Sequence, residues 1–348
     1  MRAVAVCYAV SGAVRSFLLG APVHDAGFQI TFEAMASSNP HRSGFAALIG
    51  RPNVGKSTLL NALTGEKIAI VSPKPQTTRN RILGVVTRPE GQVAFLDTPG
   101  IHQAKGELNR YMVEAALQAA EEVDLVLFLI EPPAGEKPEV SPGNRTILER
   151  LQKVGKPTFL VINKIDSIPK AALLPLIDLY RQEFPFAEVV PISAREGDGV
   201  ERLFHAVLGH LPEGERLFDE DMLTDQQERT LVAEYIREQV LRHCRQEIPY
   251  STAVVVDFFD ESEREPRPGT PPGQLGGLIR IAASIYVERD SQKAIIIGKQ
   301  GQMLKTIGTD ARKSVQRLLG AHVYLDLRVR LEPRWTERPE GLKKLGYE

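Results

Sequence analysis

Beyond residue 44 the chain alternates short, continuously apolar runs with longer stretches that are apolar on one side only. Short apolar runs bounded by turn residues fit buried strands, and apolar positions recurring every three to four residues fit helices packed on them. On this basis 45–49 is a strand and 57–64 begins a helix. Residues 82–87 and 92–96 are two strands around the hairpin turn Arg88-Pro89-Glu90-Gly91. Helices are predicted over 108–122, 144–153, 169–183 and 199–208, and strands over 123–130, 157–162 and 188–192. The greasiest stretch, 123–130, already contains Asp124 and falls well short of the roughly 18 residues a membrane span needs. Strands alternating with helices imply an α/β unit whose mostly parallel sheet is covered on both faces. The hairpin makes one edge strand antiparallel.

Past residue 210 the pattern changes. Leu211-Pro212-Glu213-Gly214-Glu215 and the acidic stretch to Asp225 read as a linker over 211–226. A long helix is predicted over 226–244, followed by β-rich runs at 251–259 and 278–288. Between those runs, 261–277 is rich in Pro, Gly and charge and reads as a mobile loop. Two helices over 293–319 flank Gly298-Lys299-Gln300-Gly301, 323–331 is a closing strand, and the tail holds the sole tryptophan, Trp335. Residues 1 to about 42 lack a sustained period and carry few charges, among them Arg2, Arg15, Asp25 and Glu33. A signal peptide fits poorly, because Arg15 soon follows the apolar 3–10 run and no A-x-A site stands out. The segment reads instead as a disordered extension, with Met35 the functional start. The expected organisation is therefore an extension over 1–42, an α/β domain over 43–210, a linker over 211–226, an α+β domain over 227–333 and a tail over 334–348.

Composition narrows the classes. The 348 residues are 43% hydrophobic and 25% charged, which suits two ordinary globular domains and excludes fibrous or wholly disordered chains. Only Cys7 and Cys244 are present, which excludes a disulfide scaffold or a cysteine-based zinc module and fits a reducing compartment. The net charge of −1 points to no partner, but its distribution is uneven. Residues 276–348 hold 14 Lys/Arg against 8 Asp/Glu, a net of +6, while the first 275 hold 29 against 36, a net of −7. An acidic body with a basic C-terminal unit accompanies nucleic-acid binding, although a solvated basic face produces the same count.

The chemistry is concentrated in five segments. Gly50-Arg51-Pro52-Asn53-Val54-Gly55-Lys56-Ser57 matches the phosphate-loop pattern and lies between a strand and a helix, as that motif requires. Its glycines let backbone N–H groups of Asn53, Val54, Gly55 and Thr58 approach phosphates at a helix N-terminus, with Lys56 reaching the outer phosphates and Ser57 ligating Mg²⁺. Asp97-Thr98-Pro99-Gly100 ends a strand, so Asp97 can hold Mg²⁺ through water and Gly100 can offer its N–H to the γ-phosphate. In Gln76-Thr77-Thr78-Arg79 the choice for the second Mg²⁺ ligand is Thr78, with Thr77 the alternative. Asn163-Lys164-Ile165-Asp166 follows an apolar strand: the Asp166 carboxylate can accept from the guanine N1–H and 2-amino groups, Asn163 can bond the base, and the Lys164 stem can cover it. Ser193-Ala194 offers a backbone N–H to guanine O6.

In this order the segments resemble the translation-factor-related GTPases, and specifically the Era family. The resemblance covers residues 45 to about 347. It implies a P-loop GTPase domain followed by a type II KH domain, whose helix-strand-strand-helix-helix-strand order and G-x-x-G loop fit the second half. Two glycines allow close approach to an RNA backbone, and Gly298, Lys299, Gln300, Gly301 and Lys305 are the expected RNA contacts, beside Arg312, Lys313 and Arg317. The family further implies GTP or GDP with Mg²⁺ as ligands. As partner it implies the 3′ end of small-subunit ribosomal RNA during 30S assembly. It also implies a cytoplasmic protein, read here as a monomer, with peripheral contact to the inner face of the cell membrane. Ile101 follows Gly100 where Ras-like enzymes carry a water-orienting glutamine, so slow intrinsic turnover is expected. Arg79 and Arg81 are candidates for charge supplied in cis. Asn53 occupies the position that ligates K⁺ in potassium-activated relatives, against the plainer reading that it stabilises its own loop. A regulatory GTPase whose KH fold contacts protein or membrane is the competing class.

Overall fold

The computed structural model describes residues 41–101, 106–133, 139–244, 248–265 and 275–347. The first unit contains strands β1 (Arg42–Gly50), β2 (Ile82–Arg88), β3 (Gly91–Asp97), β4 (Leu125–Ile130), β5 (Thr158–Ile162) and β6 (Glu188–Pro191). They form one sheet in the order β2-β3-β1-β4-β5-β6. All neighbours are parallel except β2, which returns on β3 through the Pro89-Glu90 hairpin, with Arg88 opposite Gly91. Alternation along β1 divides its side chains between two cores. Ala46 and Leu48 face α1 (Lys56–Thr64) and α5 (Val200–His210). Ala47 and Ile49 face α2 (Glu107–Glu122), α3 (Pro142–Val154) and α4 (Leu173–Glu183). With layers on both sides, β4 is buried along its whole length, which explains its unbroken apolar sequence.

Element ends moved where a polar group intervenes. The helix expected from 144 begins at Pro142, because Ser141 caps it by accepting from the Asn144 N–H at 3.3 Å and proline suits the first helical turn. The strand expected from 123 begins at Leu125: Val123 closes α2, and the Asp124 carboxylate accepts from the Phe45 N–H at 2.8 Å. Residues 170–172 form a 3₁₀ turn ahead of α4 rather than its first α-helical residues.

The second unit comprises α6 (Glu228–His243), β7 (Ala253–Glu263), β8 (Gly276–Val287), α7 (Asp290–Ile297), α8 (Gln302–Leu319) and β9 (Ala321–Leu331). β8 is central, antiparallel to β7 and parallel to β9. The ends of the expected 261–277 loop are strand, since β7 runs to Glu263 and β8 starts at Gly276; 266–274 lie outside the described residues. Residues 1–40, with Met35, also lie outside them. Among the described residues no helix is long and apolar enough to cross a membrane.

Two segments read as peripheral are structural. The 211–226 segment lies along the outer edge of the first sheet: the Val85 N–H of edge strand β2 donates to Leu223 O at 2.9 Å. The buried Gln92 amide accepts from the Leu217 and Phe218 N–H groups at 2.8 and 2.9 Å and donates to Phe218 O at 3.0 Å. Phe218 packs edge-to-face on Phe45. An exposed strand edge is a pairing hazard, and this segment covers it. The tail likewise folds back. Its Trp335, Leu342, Leu345 and Tyr347 form one buried cluster with Leu108 and Met112 of α2 and Ala253 of β7, and Pro339–Lys344 is a short helix, α9.

Candidate functional site

The loop from β1 to α1 wraps the C-terminal edge of the parallel sheet. Gly55 adopts φ +99°, and a Cβ there would lie 2.2 Å from Nδ2 of Asn163, so both conformation and space demand glycine. Lys56 and Ser57 open α1, where the first helical N–H groups are unpaired and the helix dipole is positive. The Lys56 ammonium is buried and donates to Gly50 O at 3.2 Å and Arg51 O at 3.1 Å. Burial lowers its pKa to about 8, with the Asp97 charge partly opposing the fall.

The three residues expected around Mg²⁺ converge. Ser57 Oγ lies 2.7 Å from Thr78 Oγ1 and donates to Asp97 Oδ2 at 2.6 Å, and Thr78 Oγ1 donates to the same oxygen at 3.1 Å. Thr77 turns away and donates its hydroxyl to Lys74 O at 2.7 Å. Burial pushes the Asp97 carboxyl above its ordinary range, and its Oδ1 is buried with no hydrogen-bond partner. Gly100 lies so close to the phosphate loop that a Cβ would meet Pro52 N at 2.6 Å. Ile101 donates its N–H to Gly50 O at 3.1 Å and buries its side chain in the core, so this position presents nothing to orient a water.

At the base end the Asp166 carboxylate accepts from Ser193 Oγ at 2.6 Å and from Arg195 Nη2 at 2.9 Å. The Ser193 bond, with Arg195 and Lys164 nearby, holds its pKa below the ordinary range, so it is an ionised acceptor. Asn163, expected to bond the base, is turned inward. Its Nδ2 donates to Val54 O at 2.8 Å, and its Oδ1 accepts from the Ala194 and Lys164 N–H groups at 2.9 and 2.8 Å. It fastens three loops together. Lys164, in the left-handed region at φ 62°, donates to Asn53 O at 2.7 Å and pairs with Glu131, so its stem spans from the base loop to the phosphate loop. A cleft of about 430 Å³ joins these parts, lined among others by Asn53, Gly55, Lys56, Ser57, Thr58, Thr78, Gly100 and Lys164.

Asn53 donates its side-chain amide to Pro73 O at 2.8 Å, tying the phosphate loop to the segment that carries Thr78. Neither candidate arginine faces the cleft. Arg81 pairs with Glu122 at 2.6 Å, and Arg79 is buried against the second domain. The 67–79 segment docks there throughout. Ile70 joins the core of the second unit, Tyr235 Oη donates to Lys67 O at 2.6 Å, the buried Glu238 carboxylate takes Lys67 Nζ at 2.6 Å and the Val71 N–H at 3.2 Å, and Arg237 donates to Thr77 O. Sequence reasoning missed this interface. The signal available was the weak helical period of 228–243, since a helix enclosed on several sides shows little period; that it buries Arg237 and Glu238 is decided by the fold.

In the second unit Gly298 takes φ +72°, and a Cβ there would meet Met303 Cβ at 2.6 Å. Gly301 takes φ +74° with open space around it. Lys299, Gln300 and Lys305 are exposed at this turn, and Arg312, Lys313 and Arg317 are exposed along α8. The loop therefore presents a glycine-lined backbone and cations to solvent.

Residues 45–164 match the family described as "50S ribosome-binding GTPase", and 247–336 match the KH domain. The GTPase Era of Geobacter metallireducens is 54% identical over 311 residues, covering 89% of this chain and 99% of that protein. This chain belongs to the Era GTPase family. Two solved Era structures agree, each 43% identical over 88% of this chain and 99% of theirs. One is an Aquifex aeolicus Era variant bound to GDP·AlF₄⁻, with a TM-score of 0.79. The other is Era in complex with MgGDPNP and nucleotides 1506–1542 of 16S ribosomal RNA, with a TM-score of 0.80.

As an Era-family GTPase with a C-terminal KH domain, the protein binds GTP and GDP, and Lys56, whose burial brings its pKa to about 8, is the residue expected to meet the phosphates. Phosphate charge favours the ammonium and raises that pKa. GDP binding at pH 8 is expected to take up on the order of half a proton, and the uptake should disappear below about pH 6.5, where Lys56 is already charged. Titration calorimetry in buffers of different ionisation enthalpy measures this directly; zero uptake at pH 8 would contradict the burial of Lys56.

Proposed function

We propose that the protein is a GTP-driven switch that engages the 3′ end of small-subunit ribosomal RNA through its KH domain and assists 30S assembly in the cytoplasm. One observation carries this reading: a single chain joins a guanine-type acceptor, Asp166, to a phosphate site through Asn163, and docks that site's Thr78 segment on a KH domain whose glycine loop stays open. The Era complex with 16S ribosomal RNA supports the choice of RNA.

Ser57, Thr78 and Asp97 are assigned to Mg²⁺. Their donor set is all oxygen, as this hard cation prefers, and the unpartnered Asp97 Oδ1 fits a water of its shell. When bound, the ion supplies positive charge beside the outer phosphates. Lys56 adds charge at the same end, Gly100 and the loop N–H groups hold the phosphates, and Asp166 with Ser193 and Ala194 selects the base. Adenine presents no N1–H or 2-amino group, so Asp166 opposite it is left desolvated and unpaired. Asp166→Asn is expected to weaken GTP binding by about tenfold to a hundredfold and to shift preference toward xanthine nucleotides. Equal wild-type affinity for ATP and GTP, measured by competition, would remove the assignment.

Hydrolysis without a glutamine needs charge from elsewhere. Asn53 donates its amide to the Pro73 carbonyl, which places this side chain beside the Thr78 segment; K⁺ at this point would be taken by Asn53 Oδ1 and carbonyls of that segment once the N–H bond is released. GTPase rates are expected to be higher in KCl than in NaCl at equal ionic strength. Asn53→Ala should abolish the difference while GTP still binds; identical wild-type rates in the two salts defeat the idea.

RNA engagement is tested at the glycine loop. Gly301→Asp places a carboxylate where space is open and tolerates the left-handed backbone, so it should abolish RNA binding without unfolding the domain. Lys299→Ala should reduce the salt dependence of RNA affinity by about one phosphate contact. Unchanged RNA affinity in both variants would favour a protein or membrane partner for the KH fold.

A further inference from the structure

Thr78 and Arg79 are adjacent, yet their side chains belong to different parts of the molecule. The Thr78 hydroxyl lies in the triangle with Ser57 and Asp97. The Arg79 guanidinium enters a socket made by the KH domain and the tail. Its Nη1 donates to Thr252 O at 2.8 Å and to Tyr347 Oη at 3.1 Å, and its Nη2 donates to Tyr250 O at 2.9 Å. The rings of Trp335 and Tyr347, themselves stacked at 5.4 Å, lie 5.6 and 5.7 Å from the guanidinium carbon. Arg79 is 2% exposed and Trp335 fully buried. A buried guanidinium is costly unless its donors are met, so this position is held firmly or lost as a unit. One residue earlier, Thr77 O accepts from Arg237 of α6. The three consecutive residues 77–79 are therefore gripped by α6, by the Ser57–Asp97 pair and by the tail. Neighbouring Cα atoms are fixed about 3.8 Å apart, so a displacement of Thr78 draws on both flanking contacts. The same tail packs on Leu108 and Met112 of α2, beyond the Asp97–Gly100 loop.

We infer that Arg79, with the socket of Trp335, Tyr347 and the 250–252 carbonyls, is a positioning residue for nucleotide selection, coupling GTP at the phosphate site to docking of the C-terminal tail. Thr78 at the metal site and Arg79 in the socket are satisfied together in one conformation. A nucleotide that draws Thr78 in thus favours the docked tail, and by reciprocity the docked tail favours GTP over GDP. The inference rests on the reading of Thr78 as a metal ligand.

Trp335 is the only tryptophan in the chain, so intrinsic fluorescence of the full-length protein reports the socket directly. With Mg²⁺ and a non-hydrolysable GTP analogue its emission should be blue and shielded from acrylamide; with GDP it should shift red and quench more readily. Arg79→Ala is expected to lower the ratio of GTP-analogue to GDP affinity by at least about fivefold, with GDP affinity nearly unchanged. Should that variant fold poorly, Tyr347→Phe, which keeps the ring stack and removes one acceptor, is expected to lower the ratio in the same direction. Identical emission and quenching in the two nucleotide states overturn the inference, as does an unchanged ratio in both variants. Thr78→Ala separates the two levels. A ratio lost there but kept in Arg79→Ala and Tyr347→Phe removes the socket alone, whereas a ratio kept in all three removes the metal-ligand reading as well.

Discussion

The nucleotide site depends on keeping three loops together at the edge of a parallel sheet without filling the space between them. Asn163 does this with one buried amide, donating to the phosphate loop at Val54 and accepting from its own loop and from Ala194. Each bond satisfies a backbone group that would otherwise be orphaned in a buried turn. The demand runs outward from there. Gly55 must be glycine because Nδ2 of Asn163 occupies the place of a Cβ, and the left-handed Lys164 follows because the chain has to turn immediately afterwards.

On this frame the electrostatics are poised for a ligand. Lys56 and Asp97 are both buried and both pushed toward neutrality by desolvation, each opposed by the charge of the other. Phosphates beside Lys56 and a divalent cation beside Asp97, as proposed, would relieve both. Asp166 is the contrast: half-open, hydrogen-bonded by Ser193 and firmly ionised, it is ready to accept from a base. Opposite shifts on two carboxylates of one loop cluster are the kind of perturbation that functional sites show.

The KH domain is more than an appended module, since Ile70, Lys67 and the Thr77 carbonyl are held by the second unit and the tail closes over Arg79. Ordering a GTPase segment ordinarily depends on the γ-phosphate. Here part of that ordering is supplied from the second domain, so nucleotide state and domain docking share one segment.

Much of this was written locally in the chain. The phosphate loop, the Asp97 and Asn163–Asp166 motifs and the helix-strand order of the KH domain were legible because each is short and sits where a change of hydrophobic period marks a strand end. The convergence of Ser57, Thr78 and Asp97 followed from the same logic, since such strand ends meet at one edge of a parallel sheet. What tertiary structure alone decided concerns partners distant in sequence. Gln92 gave no sign that it would serve as the dock for 217–218, so 211–226 read as linker. Trp335 and Tyr347 gave no sign of their arginine. Arg79 looks in sequence like a candidate to supply charge in cis, yet its burial is set by carbonyls more than 170 positions away. Composition and periodicity record how much apolar surface a segment must hide and on which side. They carry no record of which distant polar group will meet it, because that is fixed only when the two domains close on each other.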